Sequence, residues 1–212
     1  MNKRRLISGL GLAAALMVGG HLISSAPVAA SPDTPWESVR QAYQQARDRA
    51  QAEDVDHALS LADGYLAAHP RDGRALTYRG SLAALRARVS WMPWKKLGML
   101  HEGIGQMDDG VSLVTKAAPG SAQELEVRLV RGITSANIPS TFGRGGVAFS
   151  DFKAVVKHPH FPELAAEHRA TALAWMAVMH KRQGQVAESE RLQREAEAVD
   201  ATAARKVSEQ AA

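Results

Sequence analysis

Two apolar patterns of helical spacing meet at a short corner within residues 72–118, and this pairing constrains the fold more than any other part of the chain. Asp72 is placed to cap the first helix, because its side chain can accept the amide hydrogen bonds of the first turn. Pro93 suits the first turn of the second helix, where no backbone N–H is needed. The apolar positions recur at steps of three and four residues: Leu76, Gly80, Ala83 and Ala87, then Leu97, Leu100, Ile104, Met107, Val111 and Val114. A corner of about four residues requires the two helices to lie antiparallel.

The other stretches after residue 35 also show helical spacing, and none shows the strict alternation of a half-buried strand. Aromatic residues make up only 5% of the chain, which is typical of helices that pack closely through small residues. Further helices are predicted over residues 36–51, 54–69, 121–137, 147–157, 162–184 and 186–199. The sequence therefore predicts an all-α fold of about eight helices in antiparallel pairs.

Capping residues mark where several of these helices begin. Thr34 and Asp54 are predicted N-caps, and Ser121 with Glu124 forms a capping box. Pro162 is expected in the first turn of its helix. The helical domain is predicted over residues 36–200, and for the polar tail at 201–212 both fraying and continuation of the last helix remain open.

The first thirty residues have the composition of an export signal. Lys3, Arg4 and Arg5 precede an uncharged apolar run at 6–23, and Val28-Ala29-Ala30 supplies the small residues of a cleavage site. We expect a signal peptide at 1–30 that is cleaved after Ala30, a linker at 31–35, and a periplasmic or secreted protein. An uncleaved anchor is the alternative, since the run approaches the length of a membrane-spanning helix. The arginine pair leaves both the general secretory and the twin-arginine routes open.

Charge and cysteine content narrow the function classes. Residues 1–30 contain three of the 26 basic residues and none of the 22 acidic ones, so the rest of the chain has 23 against 22, a net charge of +1. This balance gives no reason to expect a nucleic-acid partner. The absence of cysteine excludes disulfides, thiolate metal sites and a lipid-modified N-terminal cysteine.

Proline and small residues recur through the chain as in a helical repeat. Pro70, Pro119 and Pro159 each follow the second helix of a pair, at spacings of 49 and 40 residues. Small residues fall midway in the first helices and on the contact face of the second ones: Ala46, Gly80, Gly132 and Ala177, then Ala58 and Ala148. This arrangement resembles the tetratricopeptide repeat family, whose unit is about 34 residues. The resemblance implies a short right-handed solenoid whose concave face binds a peptide or protein partner.

A narrower likeness rests on the corner and on one later segment. The corner reads Pro-Trp-Lys-Lys-Leu at 93–97, and Arg131-Gly132 is followed by Asn137, Pro139, Phe142 and Arg144. These residues are similar to those of secreted bacterial proteins of the tetratricopeptide-like class. That likeness implies export and brings no activity with it.

Two Arg-Gly pairs are the first candidates for binding. Glycine inside a helix costs about 1 kcal/mol relative to alanine, so a close helix–helix approach is expected at Gly80 and Gly132. Arg79 and Arg131 then either point into a groove and bind a carboxylate or peptide terminus, or pair with internal acids. The internal candidates are Glu102, Asp108 and Asp109.

The corner and the 137–146 loop supply the other candidates. Trp91 and Trp94 either close the end of the hairpin as core residues or form an exposed anchor for a partner or a membrane surface. The loop combines Asn137 and Arg144 with glycines before a helix, but it lacks the Lys-Ser/Thr of a phosphate-binding loop. We expect an adaptable loop that packs over the groove.

The sequence thus predicts a non-enzymatic periplasmic scaffold that binds a peptide or protein through a concave face. The candidate partner-binding residues are Arg79, Arg131, Asn137, Arg144 and Trp94. The alternative is a small-molecule binding protein whose ligand lies between the long hairpin at 72–118 and the 137–146 loop. A third reading is an anchored envelope protein. No cofactor or catalytic residue is predicted, and the histidines at 158, 160 and 168 are expected in solvated turns rather than on a metal.

Overall fold

The computed structural model describes residues 35–211, and the regular structure in that range is entirely helical. The eight α-helices are α1 Trp36–Arg49, α2 Ala52–Ala68, α3 Gly73–Val89, α4 Pro93–Ala117, α5 Ala122–Ala136, α6 Gly145–Val156, α7 Ala166–Arg182 and α8 Val186–Ala211. Two 3-10 turns lie at Ser140–Phe142 and Phe161–Glu163. The predicted all-α class is confirmed for this part of the chain.

Each helix packs against the next one along the chain, most extensively α3 with α4 and α7 with α8. In addition, α1 contacts α3, α3 contacts α5, and α5 contacts α7. The first helices of successive pairs therefore form one continuous layer. This order is the one that stacked helix pairs produce, and the solenoid itself stays a prediction.

The α3–α4 hairpin forms as the local signals predict. The Asp72 carboxylate accepts hydrogen bonds from the backbone N–H of Arg74 at 2.9 Å and of Ala75 at 3.2 Å. Pro93 lies in the first turn of α4, and only residues 90–92 separate the two helices. The short corner returns α4 directly along α3.

Glycines bring α3 and α4 into backbone contact. A Cβ atom on Gly80 would lie 2.5 Å from the carbonyl oxygen of Gly103, and one on Gly103 would lie 2.5 Å from that of Gly80. Gly73 and Gly110 face each other in the same reciprocal way at 2.5 Å. The close approach expected at Gly80 is confirmed, and it repeats after two helical turns.

Two predicted helix starts are displaced, and one lies outside the described residues. α2 begins at Ala52 with Gln51 before it, so Asp54 is not its cap and instead accepts a hydrogen bond from Gln45 at 2.6 Å. Pro162 lies in a 3-10 turn, because the extended backbone of Leu164, with ψ 148°, prevents a helix from continuing there. Thr34 falls outside the described residues, as do the predicted signal peptide and its cleavage site.

The residues after Asp200 form a helix that packs back on the domain. Asp200 has non-helical backbone angles, φ −160° and ψ 99°, and its side chain accepts hydrogen bonds from the N–H groups of Thr202 and Ala203, both at 3.0 Å. Asp200 thus ends one segment of α8 and caps the next. Ala203, Ala204 and Val207 are buried, so the last residues belong to the folded domain.

Candidate functional site

A groove of about 800 Å³ runs along the layer of first helices. It is bordered by the start of α4, by the loop at 137–142 and by the C-terminal segment of α8. We call it the central groove. Its apolar lining residues are Ala84, Leu85, Ala87, Leu97, Leu100, Ile133, Ile138, Pro139, Phe142, Trp175, Ala203 and Val207.

A second cavity of about 290 Å³ lies next to the central groove, along α1 and α5. The two cavities share Tyr43, Arg47 and Ile133 in their walls. His168 lines the second cavity, and burial lowers the pKa of its imidazole below the ordinary value of 6.5. The accessible surface is therefore elongated, with an apolar stretch near the hairpin and a more polar one near His168.

A line of hydroxyl groups crosses the floor between α1, α3 and α5. Thr134 donates to the carbonyl oxygen of Val130 at 2.9 Å, Ser81 lies 2.7 Å from Thr134, and Tyr43 lies 3.1 Å from Ser81. Because each hydroxyl has one proton, Ser81 must donate to Thr134 and Tyr43 to Ser81. Burial raises the pKa of Tyr43, so its phenol stays protonated. All three donors are satisfied internally.

The rim of the central groove carries cations that have no acidic partner. Arg88, Lys96 and Lys206 line the groove, and none of them has an ion pair or hydrogen bond within the described residues. Arg47 lies 3.5 Å from Asp48 and 3.8 Å from Glu167, and these two acids also line the groove. Four cations against two acids leave the rim positive, which favours a ligand with negative charge.

Arg79 lies outside the groove and pairs with side chains of α2 and α4. Its guanidinium donates to Asp63 at 2.8 Å, to Gln106 at 2.9 Å, and to Glu102. Burial alone would lower the pKa of Arg79, but the two carboxylates outweigh it and raise the pKa. Arg79 thus joins α2, α3 and α4. Of its two interpretations, the structure agrees with pairing to internal acids.

Arg131 belongs to a buried cluster of charges. It donates to both oxygens of Asp151, at 2.7 and 2.8 Å, and to Asp108 at 3.2 Å. Arg128 donates to Asp151 at 3.1 Å, and Arg144 reaches both oxygens of Asp108 at 2.7 and 2.9 Å. The Asp151 side chain is completely buried, so it requires such partners. Arg128 also pairs with Glu124 at 2.7 Å, so three cations face three acids. The cluster joins α4, α5 and α6 and neutralises its own charge.

Asn137 and Arg144 hold the two ends of the loop beside the groove. The Asn137 side chain donates to the carbonyl oxygen of Ile133 at 2.8 Å, where α5 ends. Arg144 anchors the other end to Asp108. Between them, Ile138 and Phe142 pack against the hairpin. The loop thus covers one side of the central groove, as the sequence indicates.

The two tryptophans of the hairpin corner are exposed. Trp91 is 78% and Trp94 70% exposed, and their rings lie edge-to-face with centroids 6.2 Å apart. The interpretation of both residues as core residues that close the hairpin is therefore wrong. No other element covers this corner within residues 35–211, and Trp94 remains available to a partner.

The five candidate residues consequently lie in separate places. Arg131 and Arg144 share Asp108, Arg79 joins three helices, Asn137 borders the groove, and Trp94 lies at the corner. The sequence reasoning missed most of the groove, because its walls come from elements distant in the chain. Its main missed members are Tyr43, Leu85, Arg88, Ile133, Trp175 and Lys206.

The histidines near residue 160 have other partners. His158 Nδ1 accepts a hydrogen bond from the backbone N–H of His160 at 3.2 Å, and burial lowers the pKa of His158. His160 Nδ1 lies 2.9 Å from Glu163. Across residues 35–211, no group of three or more His, Asp or Glu side chains is placed to hold a metal ion.

The sequence matches no protein-family profile, and neither a curated protein nor a solved structure matches it. The resemblance to tetratricopeptide repeats therefore rests on the spacing of residues alone. Among the described helices, none combines the length and the apolar character needed to cross a membrane.

Proposed function

We propose that this protein is a non-enzymatic binding protein that holds an acidic peptide or protein segment in its central groove. One observation carries the proposal: a mainly apolar lining lies beside cations that have no acidic partner within residues 35–211. Apolar side chains of a ligand would fill the floor, and acidic ones would pair with Arg88 and Lys206. Such a ligand would cover the apolar lining and neutralise the cations of the rim.

The elongated shape favours a peptide over a compact ligand. The central groove and the second cavity are adjacent and share Tyr43, Arg47 and Ile133, and a peptide that occupied both would be held over more of this surface than a compact ligand. The shared wall is formed by α1 and α5, which are first helices of two of the pairs, and first helices line the binding face of stacked helical repeats. Arg79 and Arg131 have no part in this proposal, because their charges are neutralised internally.

A charge-reversal pair tests the groove. Arg88→Glu/Lys206→Glu alters two exposed side chains that have no partner in the described part of the chain, so folding should be unaffected. The matched control is Lys116→Glu/Lys153→Glu, which changes the net charge equally at exposed residues outside the groove. The probe is a set of short fluorescent peptides selected from a random displayed library on the wild-type protein. Anisotropy titrations then give the dissociation constants.

We expect the selected peptides to combine acidic and apolar residues. Their affinity should fall about tenfold in the groove variant, since two reversed rim charges remove about 1.4 kcal/mol of attraction. The control variant should bind as the wild type does. Selection of no peptide, or equal affinity for both variants, would contradict the proposal.

A small anionic amphiphile is the second candidate, and it is favoured by the volume of the groove. About 800 Å³ lies within the usual range of small-molecule sites, about 300–1,000 Å³. The groove also lies between the hairpin residues Leu97 and Leu100 and the loop residue Phe142, the location that the sequence suggested for a ligand. Dodecanoate serves as the probe. This candidate would be favoured if the wild type binds dodecanoate but no peptide, and if Arg88→Glu/Lys206→Glu no longer binds dodecanoate.

We further propose that the protein acts outside the cytoplasm, after cleavage of residues 1–30. The support is the composition of that segment: three cations, an apolar run and Val28-Ala29-Ala30. N-terminal sequencing of the exported protein should begin at Ser31. A protein that retains residue 1 and sediments with membranes would instead be the anchored form.

A further inference from the structure

Exposed apolar side chains concentrate at the corner of the α3–α4 hairpin. Five large apolar residues are well exposed within the described part of the chain, and three of them, Trp91, Trp94 and Leu97, belong to this corner. The other two, Leu113 and Val186, are isolated from it along the chain. Scattered apolar residues are ordinary on a protein surface, whereas a cluster marks an interaction site. We call Trp91, Trp94 and Leu97, with Lys95 between them, the hairpin tip.

The charge around the hairpin tip has one sign. No acidic residue occurs between Asp72 and Glu102 in the sequence. Lys95 is exposed and has no ion pair within residues 35–211, and the same is true of Arg88 at the end of α3. Arg86 is the cation nearby that is paired, with Asp56. Two cations that are unpaired within the described residues therefore lie within six positions of both exposed tryptophans in the sequence, and a docking surface of complementary charge is anionic.

We propose that the hairpin tip docks on the surface of an anionic lipid bilayer. Indole rings favour the boundary between headgroups and acyl chains, because one part of the ring is apolar and its N–H remains hydrated. Lysine extends its ammonium group towards anionic headgroups while its methylene groups stay in the apolar layer. Trp91, Trp94 and Lys95 supply both kinds of contact at a three-residue corner.

The shape of the hairpin tip suits a lipid surface. The two indoles and Leu97 together present about 400–500 Å² of apolar surface. A corner that inserts between headgroups needs no partner surface of matching shape, because the bilayer surrounds it on every side.

This docking is independent of the proposed groove ligand. Trp91, Trp94 and Lys95 do not line the central groove, and Arg88 and Lys206 line the groove without belonging to the tip. Because Arg88 also contributes to the charge near the tip, the variant that separates the two proposals is Trp91→Ser/Trp94→Ser, which leaves the lining of the groove unchanged. On a membrane, the tip would hold the hairpin end of the groove close to the lipid surface, since Leu97 belongs to both.

Vesicle flotation tests the proposal with a chain that begins at Ser31, which keeps every described residue and removes the apolar run at 6–23. Two kinds of vesicle are compared: phosphatidylcholine alone, and phosphatidylcholine with phosphatidylglycerol at about 7:3, an anionic surface. The tip variants are Trp91→Ser/Trp94→Ser and Lys95→Glu. The control is Leu113→Ser/Val186→Ser, which removes two exposed apolar side chains elsewhere. Far-UV circular dichroism verifies that each variant folds.

We expect the wild type and the control to float with the anionic vesicles and not with phosphatidylcholine alone. The tryptophan emission should shift to shorter wavelength on binding. Added salt should weaken the binding to anionic vesicles. The Trp91→Ser/Trp94→Ser variant should lose at least about tenfold in partition coefficient. Failure of the wild type to bind anionic vesicles would overturn the proposal. Binding of Trp91→Ser/Trp94→Ser to anionic vesicles as strongly as the wild type would also overturn it. The same holds if the tip proves necessary only for binding a polypeptide in the absence of lipid.

Discussion

Two glycines on one helix, Gly103 and Gly105, should respond in opposite ways to alanine. Both lie inside α4, two residues apart, and neither needs a positive φ. A Cβ on Gly105 would meet nothing within 4 Å. A Cβ on Gly103 would lie 2.5 Å from the carbonyl oxygen of Gly80 and 3.0 Å from the backbone nitrogen of Ala84. The pair therefore separates helix propensity from helix packing.

The magnitudes follow from these contacts. Alanine gains about 1 kcal/mol over glycine in a helix interior, and Gly105→Ala should keep most of this gain. Gly103→Ala has the same gain, but the atoms in its way belong to the backbone of α3. The two helices must therefore move apart, and such overpacking costs about 1–3 kcal/mol. We expect Gly103→Ala to be less stable than Gly105→Ala by about 2 kcal/mol, or about 4–8 °C in Tm for a domain of this size.

Urea and thermal unfolding followed by far-UV circular dichroism give both values. The urea slope should stay the same in both variants, because the surface exposed on unfolding barely changes. If Gly103→Ala is as stable as Gly105→Ala, α3 and α4 do not approach as closely as described. The reciprocal substitution Gly80→Ala should resemble Gly103→Ala, since it meets the same contact from the other helix.

Two further predictions concern the buried charges. Arg131→Met should destabilise the fold by about 3 kcal/mol in urea unfolding, because it removes two hydrogen bonds from the completely buried Asp151. The control Arg191→Met, which alters an exposed ion pair, should leave the unfolding midpoint unchanged. Burial alone would raise the pKa of Glu124, but hydrogen bonds from the Gly120 N–H and from Arg128 outweigh it and lower the pKa below 4.5. The carboxylate thus stabilises the fold above pH 4.5 and loses this effect as the pH falls through the lowered pKa. In Glu124→Gln, the free energy of unfolding should therefore decrease less steeply in acid than in the wild type, as measured by urea unfolding at several pH values. An unchanged acid profile would refute this reasoning.

Local signals explain why the hairpin was predictable in detail. Asp72 and Pro93 act within one helical turn of their own positions, so no distant element has to be known. Gly80 indicated a close approach for the same reason, because an unfavourable residue in a helix needs compensation. Its partner Gly103 depended on the register between α3 and α4, which spacing alone does not specify.

The candidate site was less predictable, and the reason differs from residue to residue. Arg79 and Arg131 are neighbours of glycines in the sequence, which placed them near helix contacts. Only tertiary packing decided that internal acids would pair with them. For Trp94 the sequence left a core position and an exposed anchor open, because its exposure depends on whether another element covers the corner. The groove was missed because Tyr43, Ile133 and Lys206 belong to three distant segments.

The sequence by itself determined the helical class, the positions of most helices and the antiparallel hairpin. These features follow from apolar spacing, capping residues and prolines, each of which acts over one or two helical turns. The tertiary structure alone decided the central groove, its unpaired cations and the exposed hairpin tip. Those features depend on which side chains from distant helices meet, and on which of them find a partner of opposite charge.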